Sequence, residues 1–421
     1  MAGSGQKIFL SPYKTFLVCL LGFAQGVFYL LPYLSGQYYS TMIKMLNCTN
    51  EQLGSLMSIM GIVMFIAMIP GGWVADKFET RKLVSLSLIL VGLGGLSLAY
   101  IPDFEYYYAM WGFFSIVGNL LYWSAAIKFI RIVTTEEEQG RAYGYFYALN
   151  GLATTIFAAL GAFILTQSGE ETVQGLKTVI IVYSLMNIIC GVSVFFAFRG
   201  VKSAKGVALQ DEEKPSFKEM LSVLTTKETW VFAFICFGLY CLNSIMLSYF
   251  SAFFVDVVGI SEAMASNIYA FITFISMFIP IAVGVFADRL GSIIKMIIYS
   301  ITVVIAVLGI MLYLNQNIPL WGAVLIEVIA YSFAGGAYSI QFSAFDEIKL
   351  DRKIAGSCVA MASIIGYSAD IFMWTLFGSF IDKHGNDGYL YIFGTLLGLS
   401  ILALFAAYTL SVWSKQKKTE A

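Results

Sequence analysis

Apolar residues gather into runs of roughly twenty, separated by short polar segments, along the whole chain. A run of that length makes a helix able to cross about 30 Å of hydrocarbon. The pattern predicts spans at 13–35, 53–75, 83–101, 106–130, 142–165, 177–199, 229–255, 263–287, 296–314, 319–345, 356–381 and 389–412. The longest polar stretch is 200–228, with QDEEKPSFKEM and Pro215 in it, and it divides the spans six and six. Its charge suits a solvated linker with one interfacial helix. The expected organisation is a first bundle over 1–200, a linker over 201–228 and a second bundle over 229–421.

Composition removes the soluble alternative. Of 421 residues, 59% are hydrophobic and 12% charged, against roughly 25% charged in a soluble globular protein. Such a chain cannot clothe a water-facing surface. A net charge of −1 favours no nucleic-acid partner. The opening MAGSGQK lacks a cleavage pattern, so the first run is expected to be a retained span. Five of the six cysteines lie inside apolar runs, which argues against a disulfide framework. With the amino terminus placed in the cytoplasm, 22 of the 25 Lys and Arg fall on or beside cytoplasmic segments and three on the other side. The basic bias therefore predicts that both termini are cytoplasmic.

Two charged knots stand out between the spans. GGWVADKFETRK runs from Gly71 to Lys82, and GVFADRLGSIIK from Gly284 to Lys295. Asp76 and Asp288 are 212 positions apart, each between the second and third spans of its half. A second correspondence joins AAIKFIRIVTTEEEQGRAYGYFYALNG to SAFDEIKLDRKIAGSCVAMASIIGY, with Gly140 and Gly356 offset by 216. Two halves of like topology are the parallel-repeat plan of secondary transporters, which hold substrate between the halves near mid-membrane.

Both knots resemble the loop signature of the major facilitator superfamily. The second copy supplies Gly284, Asp288, Arg289 and Gly291; the first supplies Gly72, Asp76, Lys77 and Arg81, with Glu79 where the signature has glycine. NEQLGSLMSI, EEQGRAYGYF and GSCVAMASIIGYSADIF are similar to the YihN-type bacterial inner-membrane branch. The resemblance implies an all-α polytopic fold, with twelve transmembrane helices in two pseudo-symmetric six-helix bundles, in a bacterial inner (plasma) membrane. It also implies a gating role for the knots. In that role Gly72 and Gly284 let helices approach closely. Asp76 and Asp288 accept from a neighbouring helix terminus or pair with a basic side chain. The plainer alternative is that the knots fix topology by positive charge alone.

The same resemblance places spans one, four, seven and ten around a cavity. Tyr122, Lys128 and Arg131 are spaced six and three apart, roughly one helical face, and Asn119 extends it. That stripe suits an anion, Lys128 as a point charge and Arg131 as a fork of donors, or else two snorkelling cations. Arg131 aligns with Glu347 in the repeat, so a bridge between them is a candidate inner gate. Charged groups inside spans cost about 2.5–3.5 kcal/mol and are functional suspects. Glu327 and Asp370 are accordingly the proton-coupling candidates, with a structural acid as the alternative for each. Gln25, Tyr29, Asn150, Asn243 and Gln341 are candidate neutral contacts to a polar solute, or else packing glue between helices.

No Walker loop occurs, so direct ATP use is not expected, and with His384 the single histidine a multi-His metal site is not either; without a clustered nucleophile, base or metal set, neither an enzyme nor a cofactor is expected. The leading expectation is a monomeric secondary active transporter for a small polar solute, most simply an organic anion, with a proton gradient as one driving force and counter-exchange of two anions or facilitated diffusion as the alternatives. The alternatives are a transporter of a neutral sugar or amphipathic drug, and a solute receptor built on a transporter fold.

Overall fold

The computed structural model describes residues 10–169, 172–201, 223–314, 317–348 and 352–420. Among them the regular structure is all helix, without strands. Nine stretches of the described residues are long and apolar enough to cross a membrane, and the bent pair Glu262–Ser276 and Ile279–Leu290 adds a tenth. One of the nine, Met361–Gln416, is 56 residues long and includes more than one helix. Each of the twelve predicted spans overlaps helix, but the first, 13–35, runs past the end of its helix at Tyr29. The expected linker lies outside the described residues from 202 to 222.

Local chemistry explains where the helices start and break. Pro12 sits at the start of Pro12–Tyr29, where its missing N–H costs nothing, and the Ser11 side chain accepts from Lys14 N–H. This helix ends earlier than the apolar run does. Pro32 lies in the turn that follows, and Leu34–Gln37 and Tyr39–Leu46 continue the chain as short helices. Asp103 caps Phe104–Ile116 through Tyr106 N–H at 2.9 Å. Thr135 and Glu138 form a capping box at the head of Glu136–Gln167. The span predicted at 263–287 breaks at Met277 and Phe278, just before Pro280, with a bend of 40°.

Among the described residues the chain clusters into two compact units, one from within 10–34 and 63–201 and the other from within 35–62 and 223–420. In the first unit, helices approach through glycine. Gly22 and Gly26 of Pro12–Tyr29 press on the Phe146 and Asn150 backbone of Glu136–Gln167. Gly92 and Gly191 bring Thr80–Tyr100 and Thr172–Ala197 together, and Ser85 donates to the Gly191 carbonyl at 2.7 Å. Asn187 is fully buried and donates to the Val27 and Tyr183 carbonyls.

In the second unit, Gly366 meets Cys236 and Gly238 meets Leu399 and Ala403, which packs Lys227–Tyr240 against Arg352–Tyr367 and Gly388–Glu420. Large apolar side chains stay exposed, among them Trp321, Phe405 and Ile281. On a membrane-spanning protein these are the surfaces that meet lipid.

Candidate functional site

In the first unit, Gln25, Tyr29 and Tyr122 come together with Phe28. Tyr122 is fully buried and stacks on Phe28 with centroids 4.3 Å apart. Gln25 and Tyr29, one turn apart on Pro12–Tyr29, share a hydrogen bond. Among the described residues, the Tyr122 hydroxyl and the Gln25 Oε1 are buried with no hydrogen-bond partner. Unsatisfied buried polar atoms are costly, about 1–3 kcal/mol each, so their persistence asks for a reason.

The backbone beneath Tyr122 supplies part of that reason. Val117–Tyr122 is a π-helical stretch inside the span. Each π turn carries an extra residue, so helical phase counted across it does not hold, and such stretches recur at functional sites. The predicted stripe is divided: its first residue, Asn119, lies inside the π stretch, and Tyr122 and Arg131, nine residues apart, lie on opposite sides of the helix. Asn119 turns back to the Ser115 carbonyl and hydroxyl. Tyr122 meets Phe28, Lys128 reaches the first knot, and Arg131 is exposed. Asn150 is half-buried, and its carbonyl receives Gly26 and the Thr154 hydroxyl.

At the first knot, Lys128 Nζ donates to the Ala75 carbonyl at 2.8 Å and to Asp76 at 3.3 Å. Lys77 lies over the Trp73 ring, 4.7 Å from its centroid. Arg81 lies over Phe195 and pairs with Glu79, which also pairs with Lys82. Lys82 and Arg81 hold the Glu79 carboxyl below its usual range. The close approach expected of Gly72 falls instead to its neighbour. A Cβ on Gly71 would overlap the Asn119 carbonyl, whereas one on Gly72 or Gly284 would meet open space among the described residues. The two knots also turn differently. Gly291 closes the second in the left-handed region at φ +63°, and Glu79 caps the next helix of the first at φ −64°. Glycine is the residue suited to the former geometry, and the latter does not need it.

In the second unit, Asn243 lies in another π-helical stretch, Cys241–Ile245, and its Oδ1 occupies the space that Gly335 leaves open. Gln341 is fully buried at the end of Leu320–Ile340, and neither atom of its amide has a partner among the described residues. Glu327 is 2% exposed, with Oε2 likewise unpartnered. Tyr331, one turn along, is hydrogen-bonded to Ser276. Asp288 and Arg289 are exposed. Glu347 caps Ile293–Leu314, accepting from Ser292 Oγ at 3.0 Å and Ile293 N–H at 2.6 Å. Its carboxylate is therefore committed to a helix terminus.

Asp370 is 3% exposed and fully hydrogen-bonded. Its Oδ2 accepts from the Tyr240 hydroxyl at 2.5 Å and its Oδ1 from Trp374 Nε1–H at 2.8 Å. It lies on a close seam between Ala369–His384 and the first half of Asn50–Lys77. Gly54 meets the Trp374 carbonyl, Gly61 meets Asp370, and Gly378 meets Asn50. Ser58 and Thr375 share a hydrogen bond of 2.7 Å. Asp382 closes one end of the seam, accepting from Asn50 N–H at 3.0 Å and Glu51 N–H at 2.7 Å. Nearby, Thr41 and Lys44 both donate to Glu262, and Gln37 to Ser266. Sequence reasoning did not single out this seam or Glu262. The glycines at 54, 61 and 378 were its one available signal.

The family model for the Major Facilitator Superfamily matches residues 15–348. The chain is similar to inner membrane protein YqcE of Escherichia coli (strain K12), 26% identical with 96% of each chain covered. It is also similar to inner membrane protein YihN of the same organism, 27% identical with 98% of each covered. Among solved structures, a bacterial homolog of the human lysosomal transporter Spinster, in an inward-facing and occupied conformation, matches with a TM-score of 0.73. It is 14% identical, with 97% of this chain and 98% of that one covered. A D-xylose-proton symporter matches with the same TM-score of 0.73 at 14% identity, covering 94% and 96%.

Proposed function

Because the chain belongs to the Major Facilitator Superfamily, we propose that it is a secondary active transporter that moves a small polar solute by alternating access. The observation that carries this reading is the set of buried, unpartnered polar atoms on both units. Among the described residues they include Gln25 and Tyr122 on one, and Gln341 and Glu327 on the other. Helices that spend such groups without partners are arranged for a solute to supply the missing bonds. The names of YqcE and YihN support placement in a bacterial inner membrane. The basic bias supports cytoplasmic termini. Two six-helix bundles over 1–200 and 229–421, joined by a linker over 201–228, are the halves that rock.

The substrate class that Lys128 supports is an organic anion. An ammonium has three donors, and the Ala75 carbonyl and Asp76 engage it at 2.8 and 3.3 Å. A remaining donor is available to a carboxylate, phosphate or sulfonate. A neutral sugar is the second reading, favoured by the Tyr122–Phe28 stack and the uncharged Gln25 amide bonded to Tyr29. Glu327 and Asp370 support coupling to protons, and the knots at Asp76 and Asp288 support an inner gate.

The test is uptake into proteoliposomes across a panel of sugar acids, organophosphates, sulfonates, neutral sugars and nucleosides, with and without an imposed proton gradient. The reading expects saturable uptake of one anionic class, raised when the outside is acidified. Saturable binding without flux would make the protein a receptor instead. Flux indifferent to the gradient would remove proton coupling.

A further inference from the structure

Asp370 sits where burial and motion meet. It is nearly sealed from solvent, and no ion pair among the described residues involves it. Its two hydrogen-bond donors, Tyr240 and Trp374, are neutral. Burying a carboxylate against neutral partners alone costs several kcal/mol, a cost that a bound proton removes. The groups around it do not change that balance. Tyr240 and Cys241 face it from the span-seven helix, and Tyr367 lies against Tyr240 with ring centroids 5.0 Å apart. From Asn50–Lys77 it meets Gly61, with Ser58 one turn away.

The same residue is wedged into the seam. A Cβ on Gly61 would come within 2.8 Å of the Asp370 Cβ. Trp374, which holds Oδ1, also presents its carbonyl to Gly54 and accepts there from the Tyr249 hydroxyl at 2.7 Å. The seam cannot part at this level without exposing Asp370 to water.

We propose that Asp370 is a proton-binding site that fills as the seam between Asn50–Lys77 and Ala369–His384 shuts, with Tyr240 and Trp374 as its positioning residues. In the parted seam the carboxylate is hydrated and charged. On closure a hydronium ion gives one proton to Oδ2 and leaves as water, and the 2.5 Å contact is then a hydrogen bond that the carboxyl O–H donates to the Tyr240 hydroxyl oxygen. Trp374 N–H keeps its bond to Oδ1, so every polar atom of the carboxyl stays satisfied. Tyr367 and Tyr338, whose hydroxyls are 3.2 Å apart, both pack against the Tyr240 ring. This deepens the proton-coupled reading above by choosing Asp370 over Glu327 as the group that governs the seam.

The test needs no substrate. Spin labels at Gln52→Cys and Lys383→Cys, both exposed at the ends of the seam helices, report its width in nanodiscs, in a background with the native cysteines replaced. The wild-type side chain is expected to give a short distance at about pH 5 and a growing long-distance population toward about pH 8, because a buried carboxyl keeps its proton above the range of an exposed one. Asp370→Asn, a near-isosteric mimic of the protonated acid, is expected to hold the short distance at both. Asp370→Glu is expected to restore a pH-dependent distance. A width that ignores pH in the wild type overturns the proposal, as does an unaltered pH profile in Asp370→Asn. If the profile behaves as expected while uptake proves indifferent to a proton gradient, the coupling reading fails and the proton site stands.

Discussion

Gly378→Leu is expected to cut transport at least about tenfold while leaving the protein folded and in the membrane. Position 378 has no room for a side chain, because a Cβ there would overlap the Asn50 backbone. Backbone cannot yield as a flexible side chain does, so the two helices must separate for any larger residue. That separation also pulls the Asn50 and Glu51 N–H groups from Asp382, which holds them at 3.0 and 2.7 Å. Overpacking of this kind costs about 1–3 kcal/mol, enough to shift a two-state seam by about tenfold or more. A transporter that cannot shut one side completes no cycle. Gly378→Ala should show a smaller loss, and Gly394→Ala, where added bulk meets open space, should transport normally. Normal flux in well-expressed Gly378→Leu would mean that the seam plays no part in the cycle.

The second large effect is expected at Lys128. Replacing it with glutamine removes a charge-assisted hydrogen bond, worth about 1.5–3 kcal/mol. Uptake of an anionic substrate should therefore fall by about 10- to 100-fold, mostly through a raised KM. Arginine should restore it poorly, because a planar fork does not reproduce a compact ammonium between the Ala75 carbonyl and Asp76. Asp76→Asn separates the two duties of Lys128. If the lysine serves substrate, this variant keeps or improves anion affinity by releasing it. If the lysine serves only the knot, both variants lose flux equally and KM does not move. Undiminished uptake of a neutral sugar in Lys128→Gln would select the neutral-solute reading.

Much of the architecture was legible in the linear pattern. Apolar runs of about twenty residues locate helices because the bilayer allows the backbone few alternatives. The repeated Gly–Asp knots at Asp76 and Asp288 pointed to the family for the same reason that they are spaced 212 apart. What stayed hidden was phase and reach. The π turns at Val117–Tyr122 and Cys241–Ile245 rotate everything beyond them. Asn119 lies inside the first of them, and Tyr122 and Arg131, nine residues apart, face opposite ways at about 100° per residue even on a uniform helix, so a stripe drawn from Asn119 to Arg131 points in several directions. Composition gives no warning of this, since VGNLLY and CLNSI read as ordinary apolar helix.

Long-range partners were equally unreadable. Lys128 reaches Asp76 across 52 positions and Asp382 reaches Glu51 across 331. The carboxylate of Glu347 looked available for a bridge, yet the terminus of Ile293–Leu314 takes it up. Helix ends compete for anions wherever they fall, and no local pattern tells which acid a distant terminus will claim. The glycine seam has the same character, because contact through backbone leaves no side-chain signature beyond a missing Cβ.

Alternating access through this seam is tested most directly by a reversible cross-link. Ser58 and Thr375 face each other with hydroxyls 2.7 Å apart, so cysteines at both positions, in a background without the native ones, are placed to form a disulfide. Oxidation in proteoliposomes is expected to abolish uptake of whichever panel solute the protein carries, and reduction to restore it. Full uptake with the cross-link formed in high yield would contradict the account.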